Sequence, residues 1–194
     1  MLCLLVLLGA AATAAAQTSE SRVVTTHHGP IRGYKDPDGS MYSFYDVPYA
    51  TAPTGRDKFK APLPPPTWTQ PFEAVFRGII CPQLDILITI PHIMQEDCLV
   101  ANIFVPDTND TNLPVVVNVH GGGFVFGSGS IMHLTNFVKN NSMILITFNY
   151  RLAAYGFLCL GTENVPGNAG MKDQVALLRW VNQNIAQFGA TLMT

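Results

Sequence analysis

The chain has 194 residues, of which 48% are hydrophobic and only 12% charged, with a formal net charge of −2. This is long and apolar enough for one substantial core, and too poor in charge for a disordered, highly solvated chain. No cluster of Lys and Arg appears, which argues against nucleic acid or an anionic membrane surface as a partner.

The first residues, MLCLLVLLGAAATAAAQ, are apolar and then small. They read as a secretory signal over residues 1–16, with an apolar core at Leu2–Leu8 and a cleavage zone near Ala14–Ala16. The apolar run is too short to span a bilayer, and no other stretch is long enough. Residues 17–194 are expected to form one secreted domain, or part of one. In an oxidising compartment Cys81 and Cys98 can close a short loop, contributing about 3 kcal/mol on the chain-entropy model. Cys159, inside GFLCL, reads as a buried, inert thiol. Asn109-Asp110-Thr111 and Asn140-Asn141-Ser142 are glycosylation sequons.

RVVTTHHGPIRGY reads as a hairpin around Gly29-Pro30, MYSFYDVPYA as a further strand, and APLPPPTW as a rigid surface connector. LVANIFVP alternates, whereas PVVVNVH and SMILITFNY are almost continuously apolar. Such runs suit strands covered on both faces, as in a parallel sheet flanked by helices. In MKDQVALLRWVNQNIAQF, Met171, Val175, Leu178, Val181, Ile185 and Phe188 recur at spacings of three and four, which predicts a helix stopped by Gly189. The fold class is therefore α/β.

VVVNVHGGGFVFGSG is the most informative stretch. A strand runs into His120 and then Gly121, Gly122 and Gly123, a pattern in which the main chain itself is the working part. A P-loop would need a Gly-Lys-Ser/Thr ending, and a dinucleotide fingerprint a helix opening at the last glycine; neither follows.

Taken together, the blocks GIICPQ, EDCLVANIFVP, VHGGGF, NYRLAAYGFL and GNAGMKDQVALLRWV are similar, in this order, to the type-B carboxylesterases, the cholinesterase-like branch of the α/β-hydrolase fold. The resemblance covers Arg22 to Gly189 and leans toward the secreted insect esterases, including the antennal and juvenile-hormone-esterase-like groups. It implies a partial α/β-hydrolase fold, with the N-terminal strands of the mixed sheet and the helix that precedes the nucleophile strand. It also implies an oxyanion hole made by the N–H groups of Gly122 and Gly123, supported by Gly121 and His120. Cys81 and Cys98 correspond to the family's first disulfide. Lys58 with Glu96, and Arg151 with Asp173, correspond to its buried ion pairs. The reaction implied is acyl transfer from a small carboxylic ester to serine and then to water, without metal or cofactor.

None of Ser19, Ser21, Ser40, Ser43, Ser128, Ser130 and Ser142 lies in a G-x-S-x-G elbow. By the resemblance, nucleophile, acid and base would lie beyond Thr194, so the expectation is a truncated domain, inactive as this chain. None of His27, His28, His92, His120 and His133 matches a triad base, and none shows metal-ligand spacing. Two alternatives stay open: a non-catalytic binding or adhesion relative, and a splice or gene-model fragment.

Overall fold

A computed structural model describes residues 20–84, 88, 90–131 and 135–191. The signal assignment over residues 1–16 and His133 lie outside the described residues.

The chain order is β1 (Ser21–Thr26), β2 (Gly29–Lys35), β3 (Met41–Pro48), β4 (Phe72–Glu73), β5 (Ile79–Ile80), β6 (Ile93–Met94), β7 (Val100–Pro106), β8 (Val115–Asn118), α1 (Thr135–Asn141), β9 (Ile144–Phe148), α2 (Ala153–Phe157), β10 (Cys159–Thr162), β11 (Val165–Pro166) and α3 (Ala169–Asn184). The main sheet has the order β1-β2-β3-β7-β9-β8, with β4 added beside β2. Pairing is antiparallel from β1 to β9 and parallel between β9 and β8.

The hydrophobic runs explain the layering. In β7 and β9 every residue is buried, because alternate side chains enter cores on opposite faces. Ile103, Val105, Ile144, Ile146 and Phe148 join the larger core, which includes Leu177, Trp180 and Val181 of α3. Phe104 and Leu145 join a smaller one with Val138 of α1. β8 is only half-buried, and among the described strands it lies at the sheet's edge.

Several readings of the sequence need correction. The first hairpin turns on His27 and His28 rather than on Gly29-Pro30. The Thr26 hydroxyl accepts the His28 N–H at 3.2 Å and donates to the Gly29 carbonyl at 2.7 Å, closing the bend early. α3 buries Asp173, Leu177, Trp180, Val181 and Asn184, whereas Met171, Val175 and Leu178 face outward at 43–54% exposure. The helix carries two apolar stripes, and the sheet takes the one bearing Trp180. Cys159 is exposed on the short β10–β11 hairpin, not buried. β8 is not covered like an interior strand.

Gly189, at φ 98°, ends the 3₁₀ turn Ile185–Phe188 that extends α3. The chain then returns to the sheet, where Ala190 forms a parallel bridge with Leu113, just ahead of β8. Among the described residues, no helix is long and apolar enough to cross a membrane.

Candidate active site

The glycine segment leaves the C-terminal end of β8 and bends sharply. Gly122 and Gly123 have φ of 119° and 60°, and Phe124 follows at 64°. The Gly122 carbonyl accepts the N–H groups of Val125 and Phe126 at 3.0 and 3.2 Å, which closes the turn. Gly122 has no room for a side chain: a Cβ there would fall 1.7 Å from the Phe126 oxygen. Among the described residues, the N–H groups of Gly121, Gly122, Gly123 and Phe124 meet no acceptor. Gly121, Gly123 and Phe124 are exposed and Gly122 is half-buried, so the bend that carries these amides stands at the surface.

His120 braces the bend from beneath. Its ring is buried and stacks on Tyr150 at 4.4 Å and 16°, while the Tyr150 hydroxyl donates to the His120 carbonyl at 3.0 Å. Its Nδ1 lies 2.8 Å from the Gly121 oxygen. A carbonyl can only accept, so Nδ1 carries the proton and donates. In the neutral ring Nε2 is then a bare acceptor, buried without a donor among the described residues. Burial pushes the imidazole below its ordinary value of 6.5, against the opposing effect of the Gly121 contact. The folded state therefore binds the second proton less readily than the unfolded chain. The contribution of His120 to stability is complete above pH 6.5 and is lost as pH falls through the lowered folded value. Urea unfolding followed at several pH values is expected to show stability falling on acidification. The fall should be shallower in His120→Gln. Because His28 shares the same sign, the difference between the two proteins isolates His120.

The far end of the bend is pinned by two residues to which the sequence analysis gave no role. Gln83 accepts the Gly127 N–H at 2.6 Å and donates to the carbonyls of Gly127 and Cys81 at 2.9 and 3.0 Å. Gly127 itself rests against His120, since a Cβ there would fall 2.4 Å from Nδ1. The Asn149 side chain accepts from the Ser128 hydroxyl at 3.1 Å and the Gly129 N–H at 3.0 Å, and donates to the Ile79 and Cys98 carbonyls at 2.7 and 3.3 Å. The only advance signal for either was a polar side chain inside a quoted block, GIICPQ or NYRL. On the other side, the Ala153 N–H donates to the Phe124 carbonyl at 2.7 Å, and Phe124 packs on Phe157.

Cys81 and Cys98 form a disulfide, so Gln83 and Asn149 tie the bend to both of its ends. Arg151 and Asp173 form a bidentate pair with contacts of 2.8 and 2.6 Å, joining the segment after β9 to α3; the two side chains are 2% and 0% exposed. The Arg151 N–H adds a third bond to Asp173 at 3.0 Å. Burial raises the pKa of the Asp173 carboxyl, and the Arg151 contacts oppose it. The guanidinium also donates to the Lys58 carbonyl at 3.0 Å, and the Lys58 ammonium meets Glu96 at 2.7 Å. That second pair is about a third exposed rather than buried. Asn109 and Asn140 are solvent-exposed. Among the described residues, no group of three His, Cys, Asp or Glu side chains could hold a metal ion.

The chain matches the Carboxylesterase family over residues 20–191. It belongs to that family. It is 39% identical to para-nitrobenzyl esterase of Bacillus subtilis over 87% of its own length and 36% of that relative. With juvenile hormone esterase of Heliothis virescens it shares 41% identity over 97% of its length and 36% of the relative. The crystal structure of juvenile hormone esterase from Manduca sexta, with OTFP covalently attached, superposes with a TM-score of 0.79 at 42% identity, over 89% of this chain and 34% of that one. The fold is therefore part of the α/β-hydrolase fold of the carboxylesterases. The chain spans about a third of the length of the curated relatives it matches.

Proposed function

We propose that this carboxylesterase-family chain carries the oxyanion half of a serine-esterase active site. Amides without internal acceptors, in a braced turn at the surface, carry this reading. When a nucleophile adds to an ester carbonyl, the oxygen gains negative charge. The N–H groups of Gly122 and Gly123 meet it without reorganising, because His120, Gln83 and Asn149 already hold the bend. The substrate class is a small carboxylic ester.

The attacking serine has no counterpart in G-x-S-x-G context within this sequence. The chain by itself is inactive. In the purified protein, p-nitrophenyl acetate is expected to show no turnover sensitive to serine-directed reagents; such turnover would refute this. Transcript sequencing beyond the Gly189 codon separates the remaining alternatives. An in-frame elbow supports the esterase, an elbow without serine a binding relative, and a verified stop a fragment.

Export follows from the same reading. Residues 1–16 act as a cleaved signal ahead of a domain over residues 17–194, and Asn109 and Asn140 receive glycans.

A further inference from the structure

The tip of the first hairpin carries two adjacent histidines, and the fold treats their rings differently. His27 is exposed, whereas His28 is half-buried. The Asn184 amide at the end of α3 donates to the Trp180 carbonyl at 2.8 Å, which turns its oxygen toward the tip. That oxygen accepts the His27 backbone N–H at 2.9 Å and lies 3.2 Å from His27 Nδ1. An amide oxygen only accepts, so His27 carries a proton on Nδ1. A second proton goes to its Nε2 and leaves this bond in place.

His28 has no such freedom. Its Nδ1 is buried without a partner among the described residues. The neutral ring can leave Nδ1 bare by keeping its proton on Nε2; the charged ring cannot. It would place an N–H at Nδ1 with nothing to receive it, which is destabilising. The surrounding charges do not compensate. His27, next in sequence, opposes a second positive charge. The hollow that His28 lines has Arg179 of α3 on its wall. The connector gives that wall prolines and Leu63, and the segment after β3 gives it Tyr49 and Ala50, so no carboxylate faces it among the described residues. Burial, and then His27, hold the His28 imidazole below its ordinary value of 6.5. The turn is nevertheless fastened on two sides. Beyond the Asn184 contacts, the Trp68 backbone N–H donates to the His28 carbonyl at 2.9 Å and the Trp68 indole N–H to the Pro30 carbonyl at 2.6 Å. A tip that swings out gives these bonds to water and frees His28 Nδ1 to take its proton.

We propose that the His27–His28 turn is an acid-opened latch, which docks the β1–β2 hairpin on α3 and the connector at neutral pH and lets go as His28 gains a proton. The docked form binds that proton less readily than the opened form. Docking is therefore complete above pH 6.5 and is lost as pH falls through the lowered value of the docked ring. The latch does not rest on ester hydrolysis, and the glycine turn takes no part in it.

Amide hydrogen exchange on the full chain tests this, read residue by residue by NMR at about pH 7.5 and about pH 5 and corrected for intrinsic exchange. Protection at the His27 and Trp68 amides is expected to fall several-fold on acidification. One imidazole with an ordinary value of 6.5 limits the fall to about thirtyfold. The ladder between β7 and β9 should keep its protection. His28→Phe keeps a ring of similar shape without a titratable nitrogen, and His28→Gln is a smaller neutral replacement. Each should hold the tip amides at one level of protection at both pH values. His27→Gln should retain the fall, because His28 still titrates. The latch is overturned if the tip amides of the parent are equally protected at both pH values. It is also overturned if the ladder loses protection in step with them, or if the fall survives in either His28 variant.

Discussion

Replacing Asp173 by alanine is expected to remove about 3–5 kcal/mol of stability, a large share of the roughly 5–15 kcal/mol of a folded domain. The cost comes from what stays behind. Arg151 would remain 2% exposed with its guanidinium facing an apolar void and its own N–H without an acceptor. Changing both partners together, Arg151→Met with Asp173→Leu, should cost less than the sum of the two single changes, because no isolated charge is left. The double change still forfeits the bond from Arg151 to the Lys58 carbonyl. Urea unfolding read by circular dichroism measures the parent, Asp173→Ala, the two single changes Arg151→Met and Asp173→Leu, and the double change. An Asp173→Ala midpoint close to that of the parent would mean the pair is idle.

The second large effect is expected at Gly122. Alanine there would place its methyl carbon 1.7 Å from the Phe126 oxygen, a backbone atom that cannot rotate away, at a φ of 119° that side chains rarely adopt. The turn must therefore rebuild, and the amide row loses its direction. In any form of this protein that turns over esters, Gly122→Ala should lower kcat by about 10²–10³. Gly123→Ala is the control. Its Cβ enters open space, so only the positive φ opposes it, at a cost of about 1–2 kcal/mol, and its N–H survives. Amide exchange on the chain itself gives a second readout: Gly122→Ala should change protection at Val125 and Phe126, whose N–H groups close the turn. Equal effects of the two substitutions on activity and exchange would overturn the assignment of the bend.

Much of this architecture was legible in the residues. The alternating run LVANIFVP announced β7, the continuous apolar run SMILITFNY announced β9, and the three glycines after His120 announced a bend, because each signal is local. What escaped depended on distance in space. Nothing in Met171, Val175 and Leu178 says which of two stripes on one helix meets the sheet; Trp180 and Leu177 settle that by packing against residues far away in sequence. Cys159 sits in a run apolar enough for a core, yet the run folds into a hairpin of four and two residues standing clear of it. Gln83 and Asn149 were invisible as anchors because their partners in the bend, Gly127 and Gly129, lie 44 and 20 residues away. A polar side chain reveals its purpose only once its partner is in place.

The lone bridge between Leu113 and Ala190 has a geometric consequence. Side chains alternate along a strand, so a slip of one residue would present the opposite set to each core. Whatever lies down along the open flank of β8 therefore inherits both heading and phase from a single point of attachment. A segment laid the other way, or one place out of step, would lose that parallel register or turn the opposite faces toward the two cores.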